Sequence, residues 1–119
     1  MVLVDTSVWV AHFREGEPRL AALLDEGEVV CHPAVIGELA CGSLPRREET
    51  LGHFRDLPRA VVAVHDEVMG FIESERLMGA GLGYVDVHLL ASARLTGVPL
   101  WTLDAPLRDA ALKLGVLFL

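Results

Sequence analysis

The chain has 119 residues, of which 52% are hydrophobic, and its mean hydropathy is +0.42. These values exclude a disordered chain and indicate a globular protein with a substantial core. The 10 basic and 17 acidic residues give a net charge of −7. On its own this charge argues against a nucleic-acid partner, because phosphates favour a basic surface.

The length fits one domain, and we expect residues 1–119 to form it. Cys31 and Cys41 are too few for a disulfide framework, and their apolar surroundings predict two reduced, buried thiols. The first residues carry no positive charge before the apolar run, and no uncharged run approaches the roughly 18 residues of a membrane span. The sequence therefore predicts a cytoplasmic protein without a membrane segment.

Short apolar runs alternate with amphipathic segments along the whole chain. In chain order, the predicted elements are a strand at 2–4, helices at 6–16 and 18–27, a strand at 28–31, helices at 33–42 and 45–56, a strand at 60–64, helices at 65–78 and 85–95, a strand at 99–103, a helix at 105–114 and a strand at 116–119. Apolar strands separated by helices predict an α/β fold, with a parallel sheet of about five strands and helices on both faces.

Two of these strands run directly into an aspartate, Asp5 after the first and Asp104 after the fourth. Ligands of open parallel sheets bind outside the carboxyl ends of the strands, so both carboxylates are expected on one edge. The alternative is that each aspartate only caps the helix that follows it.

Two further acids lie on apolar helix faces. Glu38 shares its face with Ala34, Val35 and Cys41, and Asp86 shares its face with apolar residues of the helix at 85–95. A buried carboxylate needs a cation or hydrogen bonds, so these positions also suggest a ligand site. The alternatives are an ion pair with an arginine for Glu38 and a helix cap for Asp86.

Together the four acids match the hard oxygen ligands that Mg²⁺ and Mn²⁺ prefer. Two such ions can activate water and stabilise the leaving oxygen in phosphodiester cleavage. Thr6, Ser7 and Thr102 adjoin the strand-end acids and could orient a carboxylate or a water, or simply cap helices.

The candidates for RNA phosphate contact are five arginines, with ion pairing along a solvated helix as the alternative: Arg14, Arg46, Arg47, Arg55 and Arg59. Trp9, Phe13, Leu20 and Leu24 fall on the first two helices, where they either pack in the core or line a groove for a partner helix. The five histidines have no metal-ligand spacing, and we expect structural or surface roles for them.

The segments Leu3-Val-Asp-Thr-Ser-Val-Trp9, Glu38-Leu-Ala-Cys-Gly42 and Leu100-Trp-Thr-Leu-Asp104, with Asp86 opening an apolar helix, resemble the PIN-domain ribonucleases. They are most similar to the VapC toxins of bacterial and archaeal toxin–antitoxin pairs. The similarity runs through nearly the whole chain. One departure is Leu107, where the family often has an aromatic residue.

The resemblance implies a sheet of order 3-2-1-4-5 and a quartet of Mg²⁺ or Mn²⁺ ligands formed by Asp5, Glu38, Asp86 and Asp104. It implies endonucleolytic RNA cleavage by metal-activated water, a homodimer, and inhibition by a small VapB-like antitoxin whose tail fills a groove. Two alternatives stay open. A haloacid-dehalogenase-type phosphatase would need an aspartate where Ser7 stands, and a non-catalytic PIN-fold module would only bind a partner.

Overall fold

The computed structural model describes all of residues 1–119, which form three strands and seven helices joined by turns and loops. The strands are β1 (Val2–Val4), β2 (Val29–Val30) and β3 (Leu100–Trp101). The helices are α1 (Thr6–Glu15), α2 (Pro18–Asp25), α3 (Pro33–Ala40), α4 (Arg47–Asp56), α5 (His65–Ser74), α6 (Tyr84–Thr96) and α7 (Ala105–Lys113). The predicted α/β class is confirmed.

The three strands form a parallel sheet of order β2-β1-β3. β1 is central: Leu3 lies opposite Val30 of β2 and Leu100 of β3. Every residue of β1 is buried, and successive side chains of a strand point to opposite faces. Both faces of the sheet centre are therefore covered, as expected for an all-apolar parallel strand.

The two predicted outer strands are present only as single parallel bridges. Arg59 bridges to Cys31 beside β2, and Leu117 bridges to Leu100 beside β3. The prediction of five strands was therefore wrong in number, although both segments lie on the predicted sides of the sheet. At 60–64 the pairing stops after one residue. Ala60 N donates to Cys31 O at 2.9 Å, but Val61 N and Val64 N donate to the side chains of Thr96 and Glu67, both at 2.9 Å, and not to a neighbouring strand.

A single cluster of 26 buried apolar residues surrounds the sheet. α1 packs on α3, α3 on α4, and α5 on α6. Cys31 lies in this core, and burial raises the pKa of its thiol to about 11. Cys41 is exposed, so its predicted burial was wrong, because it caps the C-terminus of α3 outside the core.

Helix ends follow the local sequence. Pro18 and Pro33 occupy the first turns of α2 and α3, where a missing N–H costs little. Gly97 ends α6 in the left-handed region, with φ of 75°, and the chain then turns into β3. No helix in the structure has the length and apolar character needed to cross a membrane.

Candidate active site

Asp5 is the most rigidly held acid of the predicted quartet. It follows β1, caps α1 and is buried. Its Oδ2 accepts hydrogen bonds from Ser7 Oγ and Thr102 Oγ1, both at 2.7 Å, and a longer one from Ser7 N at 3.4 Å. The hydrogen bonds to this oxygen therefore satisfy the buried carboxylate and hold it at the sheet edge.

The same hydroxyls connect the ends of β1 and β3. Thr102 Oγ1 accepts from Asp104 N at 3.0 Å, and Ser7 Oγ accepts from Leu103 N at 3.0 Å. β3 ends at Trp101, so Asp104 lies three residues beyond the strand. The prediction that Asp104 directly follows the strand was therefore wrong. Asp104 Oδ2 caps α7 by accepting from Leu107 N at 3.2 Å. The aspartates at positions 5 and 104 thus share one hydrogen-bond network.

Glu38 lies on α3 and is exposed, so the prediction of a carboxylate on a buried face was wrong. Its Oε1 accepts from Thr6 Oγ1 at 2.8 Å, a contact that joins α3 to the first residue of α1. No arginine pairs with it. The ion-pair alternative for Glu38 therefore does not hold.

Asp86 lies in the first turn of α6, where its Oδ2 accepts from Gly83 N at 2.9 Å. Burial raises the pKa of its carboxyl. The hydrogen bond from Gly83 lowers that pKa, and the other three carboxylates of the quartet raise it. The acids from four separate elements therefore repel one another across a common space.

The capping and ligand interpretations are compatible, because each carboxylate uses only one of its oxygens. Hydrogen bonds fix Asp5 Oδ2, Glu38 Oε1, Asp86 Oδ2 and Asp104 Oδ2. The second oxygen of each makes no hydrogen bond or salt bridge within the chain. Four hard oxygen donors without a cation suit Mg²⁺ or Mn²⁺.

The quartet does not form a closed cage, because no three His, Cys, Asp or Glu side chains lie close enough to hold one ion by themselves. An ion bound here would take only part of its coordination from these side chains and the rest from water or substrate, as Mg²⁺ usually does.

The five arginine candidates separate in the structure. Arg14 lines a cavity that also contains Glu38 and Thr6. Arg46 approaches Glu49 at 3.8 Å. Arg47 donates to the carbonyls of Ala40 at 2.7 Å and Gly42 at 3.2 Å, at the end of α3.

Arg55 and Arg59 are exposed, and neither forms a salt bridge. The structure thus places only one of the five arginines beside an acid of the quartet, and it gives one of the others a structural hydrogen-bonding role.

A second cavity, of about 450 Å³, lies between α1 and α4. Its walls include Trp9 and Phe13, whose rings are stacked with centroids 6.0 Å apart, and Phe54 meets Trp9 edge to face at 4.8 Å. Trp9 is buried, and its Nε1 has no hydrogen-bond partner. Residues of the first two helices therefore both pack in the core and border a groove.

A histidine cluster beside the site was not predicted. His32 caps α3 by accepting from Ala34 N at 3.0 Å, and its ring meets that of His88 on α6, with centroids 5.7 Å apart. Tyr84 packs on His88 and hydrogen-bonds His65 at 2.7 Å. The i,i+4 spacing of Tyr84 and His88 is the only part visible in the sequence. The cluster joins the helices that carry Glu38 and Asp86.

Comparison with known proteins shows the family of this chain. Residues 2–113 match the PIN domain family. Ribonuclease VapC32 of Mycobacterium tuberculosis, in strains CDC 1551 and H37Rv, is 46% identical over 117 residues, which cover 98% of this chain and 94% of that protein. The chain therefore belongs to the PIN-domain family and, within it, to the VapC ribonucleases.

Two solved structures are similar in fold. PAE2754 from Pyrobaculum aerophilum superposes with a TM-score of 0.61 at 18% identity, covering 92% of this chain and 78% of that one. FitAcB from Neisseria gonorrhoeae gives a TM-score of 0.58 at 20% identity, with 93% of both chains covered. At these identities the similarity supports the fold alone.

Proposed function

We propose that this chain is a Mg²⁺- or Mn²⁺-dependent endoribonuclease and the toxin of a type II toxin–antitoxin pair. The observation that carries the proposal is the arrangement of the four carboxylates, each with one oxygen anchored and one without a partner. The ribonuclease name of a relative that is 46% identical supports RNA as the substrate.

In this proposal Asp5, Glu38, Asp86 and Asp104 hold the metal. When bound, Mg²⁺ or Mn²⁺ supplies the charge that lowers the pKa of an attacking water and stabilises the leaving oxygen. Burial and the neighbouring carboxylates raise the pKa of Asp86, and a bound cation would favour its ionised form, so these carboxylates favour a metal ion.

The neighbouring hydroxyls fix the carboxylates in place. Ser7 and Thr102 hold Asp5, and Thr6 holds Glu38. Their donors occupy one oxygen of Asp5 and one of Glu38, so the other oxygen of each would be available to a bound ion. Cleavage proceeds by direct attack of water, so the chain supplies no nucleophile of its own.

Metal removal and a single substitution test this function. Wild-type protein is expected to cleave single-stranded RNA with Mg²⁺ or Mn²⁺ and not in EDTA, whereas Asp86→Asn is expected to be inactive in both. Asp109→Asn is the matched control and should cleave like wild type. Asp109 is an exposed aspartate on α7 and lies outside the quartet. Equal cleavage in EDTA would contradict the metal requirement.

A small VapB-like antitoxin is the proposed partner, with the aromatic groove between α1 and α4 as its docking surface. The groove contains apolar rings for a helix face and the polar side chains of His12, His53 and Thr50 at its border. Native mass spectrometry of the chain purified with its neighbouring gene product should show both proteins, and Phe13→Glu should release the smaller one.

The same proposal includes a cytoplasmic location, because RNA and an antitoxin are both available in the cytoplasm. It also includes a homodimer. The alternative is a PIN-fold module that only binds a partner. Calorimetric titration with Mn²⁺ separates the two functions: heat of binding that is lost in Asp86→Asn supports the nuclease, and no heat together with no cleavage supports the module.

A further inference from the structure

A cavity of about 670 Å³ opens directly beside the quartet. It lies between α1 and the end of α3, and its lining includes Thr6 and Glu38. This volume is within the range of cavities that hold small ligands, roughly 300–1,000 Å³. A substrate bound at Glu38 therefore has a defined space into which its next nucleotide can extend.

Arg14 provides a cation in that cavity. It lies in the last turn of α1, is exposed, and has no acid within salt-bridge distance. Arg46 and Arg47, by contrast, contact Glu49 and backbone carbonyls. In a chain of net charge −7, an unpaired guanidinium in the cavity that Glu38 lines favours an anionic ligand that extends past this carboxylate.

Part of the cavity wall is apolar. It is formed by Val10 and Phe13 of α1 and by Leu44 and Pro45 of the segment after α3. A nucleobase can pack against such a wall without sequence-specific hydrogen bonds, while its phosphate stays near the guanidinium. The Arg14 guanidinium, the apolar side chains and the Glu38 carboxylate at the border together match one nucleotide of single-stranded RNA.

We propose that this cavity is a nucleotide subsite of the RNA substrate, in which Arg14 binds the phosphate next to the one that is cleaved and Val10 and Phe13 pack against its base. The proposal rests on the proposed ribonuclease function and assigns a binding role to a residue outside the quartet. Phe13 and Pro45 also line the aromatic groove, so a protein bound there would lie next to the RNA.

The first test measures binding of a 5′-fluorescein-labelled, mixed-sequence 12-nucleotide RNA by fluorescence anisotropy in EDTA, as a function of salt. Arg14→Gln should weaken binding roughly five- to tenfold at low salt and reduce the salt slope by about 0.7, the value for one phosphate contact on a single strand. Lys113→Gln removes the same charge at the far end of α7 and should change affinity less than about twofold. Equal effects of the two substitutions would overturn the proposal.

The second test places a charge on the cavity wall. Val10 is 39% exposed, so Val10→Gln and Val10→Glu should both fold. Glu at this position stands one turn before Arg14, where it pairs with the guanidinium and repels phosphate. Val10→Glu should therefore weaken RNA binding several-fold more than Val10→Gln, and identical affinities would contradict the subsite.

Cleavage kinetics distinguish this proposal from the function on which it rests. With Mn²⁺, Arg14→Gln should raise KM and leave kcat close to the wild-type value, because the residue binds substrate away from the reacting atoms. If wild type cleaves RNA and Arg14→Gln has an unchanged KM, the subsite is wrong and the ribonuclease function stands. If wild type does not cleave, the ribonuclease function fails first.

Discussion

Thr102 Oγ1 donates a 2.7 Å hydrogen bond to Asp5 Oδ2, and the two residues are 97 positions apart in the sequence. Both are buried, and they stand at the ends of the neighbouring parallel strands β3 and β1. This bond fixes the orientation of the central carboxylate with a neutral donor. Hydrogen bonds thus orient this carboxylate at the sheet edge, as they commonly do for carboxylates that bind metal ions.

Thr102→Val removes this donor while it keeps the shape of the side chain. Asp5 then loses one of its two hydroxyl donors, and Asp104 N loses its acceptor. We expect the free energy of unfolding to fall by about 1–3 kcal/mol, with ribonuclease activity reduced about 10–100-fold. Urea denaturation and RNA cleavage measure the two effects. Thr102→Ser keeps the hydroxyl and should retain more of both, so equal losses in the two variants would argue against the hydrogen bond.

Glu38→Gln separates chemistry from stability. Glu38 is exposed and contacts only Thr6 through one oxygen, which a glutamine amide oxygen can replace. The unfolding free energy should therefore stay within about 0.5 kcal/mol of wild type, whereas activity should fall by more than about tenfold because a charged ligand is lost. Thermal denaturation and initial cleavage rates check both statements, and full activity in Glu38→Gln would remove this residue from the site.

Asp86→Asn should stabilise the chain in EDTA while it abolishes cleavage. The raised pKa of Asp86 means that its ionised form is less favourable in the folded state than in the unfolded state at neutral pH. An asparagine removes that cost and can still accept from Gly83 N. Differential scanning calorimetry in EDTA should show a higher Tm for Asp86→Asn than for Asp109→Asn. A lower Tm would mean that burial and the neighbouring acids do not disfavour the ionised form of Asp86 in the folded state.

His32 predicts how stability depends on pH. Burial lowers the pKa of its imidazole to about 4, and the neighbouring His88 lowers it as well. Because the unfolded state takes up the proton near pH 6.5 and the folded state only near pH 4, the unfolding free energy should fall as the pH drops through this window, by up to roughly 3 kcal/mol.

The control for this prediction is His32→Asn, which can still cap α3 but has no group that titrates there. Chemical denaturation at pH 7 and pH 4.5 should show a smaller pH-dependent loss in His32→Asn than in wild type. The same loss in both proteins would assign the pH dependence to other groups.

Local patterns in the sequence were sufficient to predict the elements of this fold but not the extent of the sheet. The run at 60–64 has the apolar composition of a strand, yet Val61 and Val64 are 51% and 62% exposed at the sheet edge. Their amides bond to Thr96 and Glu67. Pairing at a sheet edge depends on which acceptor each backbone N–H bonds to, and amino-acid composition does not predict that choice.

The candidate site could also be predicted only in part from local sequence patterns. The order of the four acids and the hydroxyl residues beside Asp5 could be predicted from the sequence, because strand ends position Asp5 and Asp104 and a helix start positions Asp86. The exposure of Glu38, the contact of Thr6 with Glu38 and the cavity beside Arg14 could not be predicted, because each depends on how α1 packs on α3. The pairing of His32 with His88 likewise joins residues 56 positions apart.

The most direct test of the proposed catalytic site compares RNA cleavage by wild type and Asp5→Asn at saturating Mn²⁺. An asparagine can keep the hydrogen bonds from Ser7 and Thr102, so circular dichroism should show an intact fold. We expect metal-dependent cleavage by wild type and a loss of more than about tenfold in a folded Asp5→Asn protein. Equal cleavage by the two folded proteins would contradict the assignment of this carboxylate edge as the catalytic site.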